Sequence, residues 1–325
     1  MKKPVLSRVR LPKITTLALV SVLLASCHIL SPGDLARGGL PNLGAPTLGG
    51  MQLWADVAWS DGWRVQRHVW SRHYRLLDQE NTRQAWGSES YCSSLLPERG
   101  EGHLVVLLHG LGRTRHSLGD LHEELESNGF RVASLSYPST RASLDEHAKS
   151  VERVMDSMPN VERVSFVTHS LGGRVVLRLL ERKGDWMERV QLGSVVQIAP
   201  PNRGSSLACQ LEDVPFMACL LGPSFLDVAE ASTETPPEGC DFLVISGVGP
   251  TVSGWNPLLT GNDDGVVSLR ETVPGFPHTR ISIFCIHTLL MSNADAVDAT
   301  IQFLGRDLEP ESNLGSSGSE STEQR

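Results

Sequence analysis

Seven residues, Val167-Thr168-His169-Ser170-Leu171-Gly172-Gly173, join an apolar run to an amphipathic one with little between them but a serine. Val164, Phe166 and Val167 read as a short buried strand, and Leu171, Val175, Val176, Leu179 and Leu180 recur at helical spacing straight afterwards. Arg174, Arg178 and Arg182 fall largely off that apolar face, Arg182 and Lys183 suit the negative end of the helix dipole, and Gly184 offers a stop. A chain that passes so abruptly from strand to helix must bend hard. Small residues at Gly172 and Gly173 allow that bend, which lifts Ser170 out of the sheet and aims backbone N–H groups at whatever its oxygen meets. Two readings stand side by side: a serine that caps a helix, or a serine presented as a nucleophile. The second is usually written G-x-S-x-G, and Thr168 stands where the first glycine is expected.

The segments on either side repeat the strand-then-helix arrangement. Leu104 to Leu108 is an unbroken apolar run, as expected of a strand covered on both faces, and it ends in His109-Gly110-Leu111-Gly112. A helix follows with Leu118, Leu121 and Leu125 on one face, stopping near Asn128-Gly129, and then a strand from Arg131 to Ser136. Ser143 and Glu146 have capping-box spacing, with Ala148, Val151, Val154 and Met155 behind them. Further strands are expected at Val190 to Ile198, Phe242 to Ser246 and Ile281 to Ile286, before a closing helix capped by Asn293 that buries Ala294, Val297, Ile301 and Leu304. Such alternation predicts an α/β fold: a mostly parallel central sheet with helices on both faces and a ligand site at the carboxyl ends of the strands. Upstream, Trp63 to Val69, His73 to Leu77 and Arg83 to Trp86 read as antiparallel strands at one edge of the sheet, their tryptophans expected to pack that edge, with an aromatic surface for lipid as the competing reading.

The N-terminus is of another kind. Lys2, Lys3, Arg8, Arg10 and Lys13 precede an apolar stretch from Ile14 to Leu24 that is too short for a comfortable membrane span, so residues 1–26 read as a secretion signal. The stretch ends Leu24-Ala25-Ser26-Cys27, which resembles the lipobox of bacterial lipoproteins. That resemblance implies acylation of Cys27, attachment to the membrane through the lipid, and, with His28 rather than an aspartate next, the outer membrane of a bacterial cell envelope. Residues 27–50 are then a Gly- and Pro-containing tether, 51–306 the folded domain, and 307–325 a disordered tail rich in Glu, Ser and Gly.

Charge and cysteines narrow the classes. The whole chain of 325 residues carries a net charge of -8, and removal of the signal leaves 24 basic against 37 acidic residues, about -13. Such a surface is not one that seeks nucleic acid. Five cysteines remain beyond Cys27, an odd number in a compartment that permits disulfides. Cys209 and Cys219 lie close enough in sequence to close a small loop, while Cys285, inside an apolar strand, is expected to stay a buried thiol.

Serine by itself is a poor nucleophile. Acyl transfer needs a histidine to take its proton and a carboxylate to orient that histidine. Gly261-Asn262-Asp263-Asp264-Gly265-Val266-Val267 follows the Phe242 strand, and Ile286-His287-Thr288 closes the last one, so the order is Ser, Asp, His. The Asp263-Asp264-Gly265 tract lacks the regular ligand spacing of a calcium loop. No metal or cofactor is expected.

Taken together, H-G-L-G, x-H-S-x-G-G, D-G-V-V, a late H-T and Ala199-Pro200-Pro201-Asn202-Arg203-Gly204-Ser205 resemble the bacterial lipases and esterases of the α/β-hydrolase superfamily, over about residues 100 to 305. The resemblance implies Ser170 as nucleophile, Asp264 as acid and His287 as base, with an oxyanion hole from the backbone N–H groups of Leu111 and Leu171. It makes Asp263 a turn or solvent residue, and His109 and His169 groups that shape their loops. The implied activity is hydrolysis of hydrophobic carboxylic esters. An acyltransferase using the same acyl-enzyme and a non-catalytic envelope binding protein are the competing readings, the latter having no need of an intact triad. Between 203 and 239, Leu207, Phe216, Met217, Leu220, Leu221, Phe225 and Leu226 form an apolar insertion expected over the site, either a lid that opens or a small cap packed permanently on the core.

Overall fold

The computed structural model describes residues 53–71, 73–97, 101–214 and 221–308. The signal segment, the tether with Cys27, Phe216, Met217, Cys219 and Leu220 of the insertion, and the tail beyond 308 lie outside them.

Strands β1 (Trp54–Ser60), β2 (Trp63–His68), β3 (Tyr74–Leu77) and β4 (Arg83–Gly87) form an antiparallel meander that is a sheet of its own, not an edge of the central one. The β1 strand escapes a reading by alternation because both of its faces are buried, leaving no polar residue at every second place. Its Asp56 N–H donates to the Ser136 carbonyl at 2.8 Å, which seats the meander against the central sheet. Of the tryptophans, Trp54 and Trp59 are core residues, whereas Trp70 and Trp86 are exposed.

The central sheet contains β5 (Gly102–Leu108), β6 (Arg131–Leu135), β7 (Val161–His169), β8 (Gln191–Ile198), β9 (Phe242–Val248) and β10 (Thr279–Phe284). Every pairing in it is parallel, in the order β10-β9-β8-β7-β5-β6. Leu104 to Leu108 are wholly buried because β5 lies inside the sheet: Leu104, Val106 and Leu108 face one hydrophobic layer, Val105 and Leu107 the other. A short helix α1 (Glu89–Ser94) packs on the meander. The helices that cover the sheet are α2 (Gly119–Ser127), α3 (Leu144–Asp156), α4 (Leu171–Arg182) and, at the end, a long helix over Ala294–Gly305. The α3 and α4 helices bury their apolar stripes in the first layer, while α2 and the last helix do so in the second. Burying Val175, Val176, Leu179 and Leu180 anchors α4, each worth roughly 1.5–3 kcal/mol relative to exposure.

The expected capping box at Ser143 and Glu146 is present, and the Asn293 side chain caps the last helix. That helix is turned from the expected face: Ala296, Val297, Thr300, Phe303 and Leu304 are buried, whereas Ala294 is exposed. The α4 helix ends at Lys183, which itself takes the left-handed conformation at φ 49°. Gly184 follows it, and a Cβ there would lie 2.3 Å from the Glu152 carboxylate, which would have to shift. Arg174 also departs from the expectation of a polar face. It is buried, and its Nη1 donates to the Pro201 carbonyl at 3.2 Å and the Glu230 carbonyl at 2.8 Å.

Among its described residues the insertion holds the short helices α5 (Ser206–Leu211) and α6 (Pro223–Asp227), and the chain then closes with α7, the Ala294–Gly305 helix. Leu207, Leu211, Leu221 and Phe225 are buried and join the first layer, but Leu226 is exposed. At the far end, residue 307 does not begin a loose tail. The Asp307 carboxylate accepts hydrogen bonds from Ser165 Oγ at 2.6 Å and from Ser194 N and Oγ at 2.9 Å, tying the end of the domain to β7 and β8.

Candidate active site

The bend between β7 and α4 falls on one residue. Ser170 has φ 53° and ψ -117°, and its side chain makes no helix-capping hydrogen bond, which removes the reading of an ordinary N-cap. The conformation is held from both sides, by the Ser170 N–H on the Ile198 carbonyl at 2.8 Å and by the Gly173 N–H on the Ser170 carbonyl at 3.0 Å. Such a backbone is costly, and it persists only where surrounding contacts over-determine it.

The glycines beside the serine serve close approach, not bending. A Cβ on Gly172 would stand 2.3 Å from the Leu108 carbonyl oxygen, and one on Gly173 would stand 2.9 Å from Pro200 Cβ. Thr168, where the usual pattern has glycine, is buried, and its hydroxyl donates to the Val196 carbonyl at 3.2 Å. Gly110 likewise serves close approach, on the neighbouring strand end. A Cβ there would come within 3.2 Å of Ser170 Cβ, so its absence lets the Gly110-Leu111 turn lie against the serine. Leu171 stands at the start of α4, where an N–H has no intrahelical acceptor, and neither its N–H nor that of Leu111 is bonded within the described residues.

Asp264 and His287 come together from two loops. His287 Nδ1 is 2.8 Å from Asp264 Oδ2, the His287 N–H donates to the Asp264 carbonyl at 2.8 Å, and Asp264 Oδ1 accepts from the N–H groups of Val266 at 3.0 Å and Val267 at 2.7 Å. A carboxylate so placed fixes the proton on Nδ1 and leaves Nε2 as the ring's free acceptor. Both side chains are buried, and His287 shares a cavity wall with Ser170. It lies three residues beyond β10, which stops at Phe284, earlier than expected, so a turn and not a strand end presents the imidazole. Cys285 beside it is a half-buried free thiol, less enclosed than expected.

Asp263 departs from its expected place at a turn or in solvent. It is 0% exposed, and its Oδ1 accepts from the N–H groups of Trp255 at 3.1 Å, Asn256 at 3.0 Å and Gly265 at 2.7 Å. Burial raises its carboxyl above the ordinary range although those three donors oppose the shift. Its work is to hold the loop that carries Asp264. Both adjacent aspartates are buried, but their carboxylates face different partners.

The two flanking histidines are indeed shaping groups. His109 Nδ1–H donates to the Gly110 carbonyl at 3.0 Å, and the ring stacks on Tyr137 at 4.1 Å. Burial lowers its pKa to about 4, so it stays neutral. His169 Nε2–H donates to the His287 carbonyl at 3.1 Å, and burial keeps it neutral as well. It steadies the backbone of the histidine opposite.

The Ala199 to Ser205 tract acts as scaffold. Asn202 Nδ2 donates to Gln197 Oε1 at 2.8 Å, and Gln197 Nε2 donates to the Gly173 carbonyl at 2.9 Å, so the tract braces the first turn of α4. Over the serine, Leu171, Leu207, Ala208, Phe225, Val228 and Val266 make the cavity mostly apolar. Arg113, which sequence reasoning passed over, also lines it; its place three residues past Gly110 in a glycine turn was the available signal. Cys209 is an exposed thiol facing the Ala229 carbonyl at 3.2 Å, while the expected partner Cys219 lies outside the described residues. Among the described residues, no group of three or more His, Cys, Asp or Glu side chains is arranged to hold a metal ion, and no helix is long and apolar enough to cross a membrane.

No protein-family model matches the chain, and no curated protein sequence does. Among solved structures, the propeptide form of the Bacillus licheniformis lipase BlEst2 is similar with TM-score 0.51 and 14% identity, over 64% of this chain and 52% of that one, so the chain spans about half of its length. The mature form of that lipase gives TM-score 0.49 and 14% identity over 64% of this chain and 93% of that one. The metagenomic carboxyl esterase MGS0156 gives 0.48 and 17%, over 66% and 80%. At such identities the likeness concerns the fold.

Proposed function

Starting from the α/β-hydrolase fold that the chain has, we propose that it is a serine hydrolase of carboxylic esters working through an acyl-enzyme on Ser170. His287 Nε2 takes the serine proton as the oxygen attacks the ester carbonyl, and later gives it to the leaving alcohol. Asp264 holds the imidazole in the required tautomer and stabilises the imidazolium that forms. The unbonded N–H groups of Leu111 and Leu171 receive the oxyanion of the tetrahedral intermediate, each donor worth on the order of 3 kcal/mol. Water then repeats the cycle on the acyl-enzyme.

One observation carries this reading: a serine strained out of helix-capping geometry shares a cavity with a histidine that is already oriented by a buried carboxylate. The apolar lining from α5, α6 and Val266 favours a hydrophobic acyl group, as in a lipase or esterase. We further propose that Cys27 carries a lipid which holds the enzyme at the outer membrane, a reading that rests on the Leu-Ala-Ser-Cys ending of the signal segment.

A fluorophosphonate probe should label the purified chain, and a graded series of p-nitrophenyl esters should be hydrolysed with preference for the longer acyl chains. Failure to label would overturn the mechanism, and analysis of the products formed with an added alcohol acceptor, free acid or new ester, separates hydrolase from transferase. Cys27→Ser should move the protein out of the membrane fraction with ester hydrolysis intact. Unchanged membrane attachment would overturn the anchor alone.

A further inference from the structure

A second cavity, of about 260 Å³, lies where the meander meets the central sheet. Gln66 and Arg75 of the meander, Asn81 in the turn before β4, Arg115 after the glycine turn and Ser136 after β6 line it. His109 lines it as well, whereas the next two residues, Gly110 and Leu111, line the cavity of Ser170. The two spaces are therefore separated by one short stretch of backbone.

The charges around this cavity do not balance. Arg64, Arg75 and Arg115 all act electrostatically with a single carboxylate, Asp56, in a chain whose net charge is -8. Asp56 is already committed: Oδ1 accepts from Gln66 Nε2 at 2.8 Å, and Oδ2 accepts from the Ser136 N–H at 2.7 Å and from Arg64 Nη1 at 3.2 Å. Among the described residues, the other two arginines hydrogen-bond only neutral acceptors, and the Arg75 guanidinium lies 4.2 Å over the Trp54 ring. Arg75 Nε and Nη2 both donate to Gln66 Oε1, at 3.0 and 2.7 Å, while Arg115 Nη1 donates to Ser136 Oγ at 2.9 Å and Nη2 to Asn81 Oδ1. Each guanidinium has five N–H donors, of which the described residues take two on Arg75 and two on Arg115.

Arg115 is 8% exposed. Burial first, and then repulsion from Arg64 and Arg75 against the attraction of Asp56, lowers its pKa to about 9. A cation held out of water without an ionic partner is costly, and the cost is relieved by an anion. We propose that this cavity is a binding site for a phosphate group, held between the guanidinium groups of Arg75 and Arg115.

Phosphate is favoured over carboxylate by the number of donors. A carboxylate offers two oxygens and satisfies one planar fork, whereas a phosphate has further oxygens for a second fork. Room is ample, since a water needs only about 10–15 Å³ by the same measure. The phosphate comes either as a soluble phosphate ester or as a lipid headgroup.

Calorimetric titration of the full chain with inorganic phosphate and with glycerol phosphate, at constant ionic strength set with chloride, reads the soluble arm. Sedimentation with phosphatidic acid vesicles, against phosphatidylcholine vesicles, reads the lipid arm. Saturable binding in either arm, weakened at least tenfold by Arg75→Gln and by Arg115→Gln, is expected. Arg75 is the safer variant, because it leaves the buried Asp56 and Arg64 pair in place; circular dichroism checks the fold of both. Absence of saturable binding in both arms, or binding indifferent to Arg75→Gln in a folded protein, overturns the site. Ester hydrolysis by Ser170 stands or falls separately from either result.

Discussion

Replacing each of the adjacent aspartates by asparagine should separate the two tasks that the structure gives them. In Asp264→Asn, the amide oxygen can still accept from Val266 N and Val267 N, as Oδ1 does now at 3.0 and 2.7 Å. The NH₂ group then falls where Oδ2 stands, 2.8 Å from His287 Nδ1. A donor facing that nitrogen favours the tautomer protonated on Nε2, which cannot take the serine proton, and the imidazolium loses its counter-charge. The equivalent change in serine proteases costs about ten-thousandfold in rate, so a loss in kcat of at least roughly a hundredfold, or about 2.7 kcal/mol, is expected here. In Asp263→Asn, the amide oxygen keeps the three backbone donors of Oδ1, and the NH₂ replaces Oδ2, which has no hydrogen-bond partner. Activity should remain within about tenfold of the parent. Stability should fall instead in Asp263→Ala, where three buried N–H groups lose their acceptor, each at roughly 1–3 kcal/mol. Steady-state kinetics on a p-nitrophenyl ester, with urea unfolding of the same preparations, measures both effects. If Asp263→Asn loses more activity than Asp264→Asn, or Asp264→Asn keeps more than a tenth, the assignment of the acid is wrong.

Ser170→Ala should abolish phosphonate labelling and nearly all esterase activity, and adding His287→Ala should lower the rate no further, because the two act as one unit; independent losses would argue against a shared step. Acid should unfold the protein earlier than its carboxylates require. His109 and His147 are buried with pKa values lowered to about 4 and about 3, mainly by desolvation, so below pH 6.5 the unfolded chain binds protons that the folded one does not. Their contribution is fully present above pH 6.5 and declines as pH falls toward 4, by up to about 2.7 kcal/mol per pH unit for the two together; a flat urea midpoint from pH 7 to 5 would contradict it. Gly222→Ala should unseat α6, since residue 222 has φ 79° and its Cβ would stand 2.0 Å from the Thr140 carbonyl oxygen. A melting temperature within a degree of the parent would mean that the cap does not depend on this contact.

What the sequence determined by itself is whatever short-range pattern carries. The buried strands β5, β7, β8 and β9 announce themselves as apolar runs, α2, α3 and α4 as 3.6-residue stripes, and the capping box at Ser143 as a fixed spacing, because each is a property of neighbouring residues. Ser170 was legible for the same reason, and the later D-G-V-V and H-T stretches pointed to Asp264 and His287 through their resemblance to known hydrolases. Other features depend on residues distant in sequence. The meander's first strand was not legible because β1, buried on both faces, has no alternation to display. Arg174 went inward because the carbonyls of Pro201 and Glu230 lie within its reach, and Asp307 belongs to the domain because Ser165 and Ser194 meet it. Gly172 and Gly173 looked like bending points, yet each is required by an atom of another strand or loop. Above all, Asp263 and Asp264 are identical residues side by side, and local chemistry cannot tell them apart. The resemblance singled out Asp264, but the physical difference between the two comes from the tertiary structure, which sets three backbone N–H groups before Asp263 and an imidazole before Asp264.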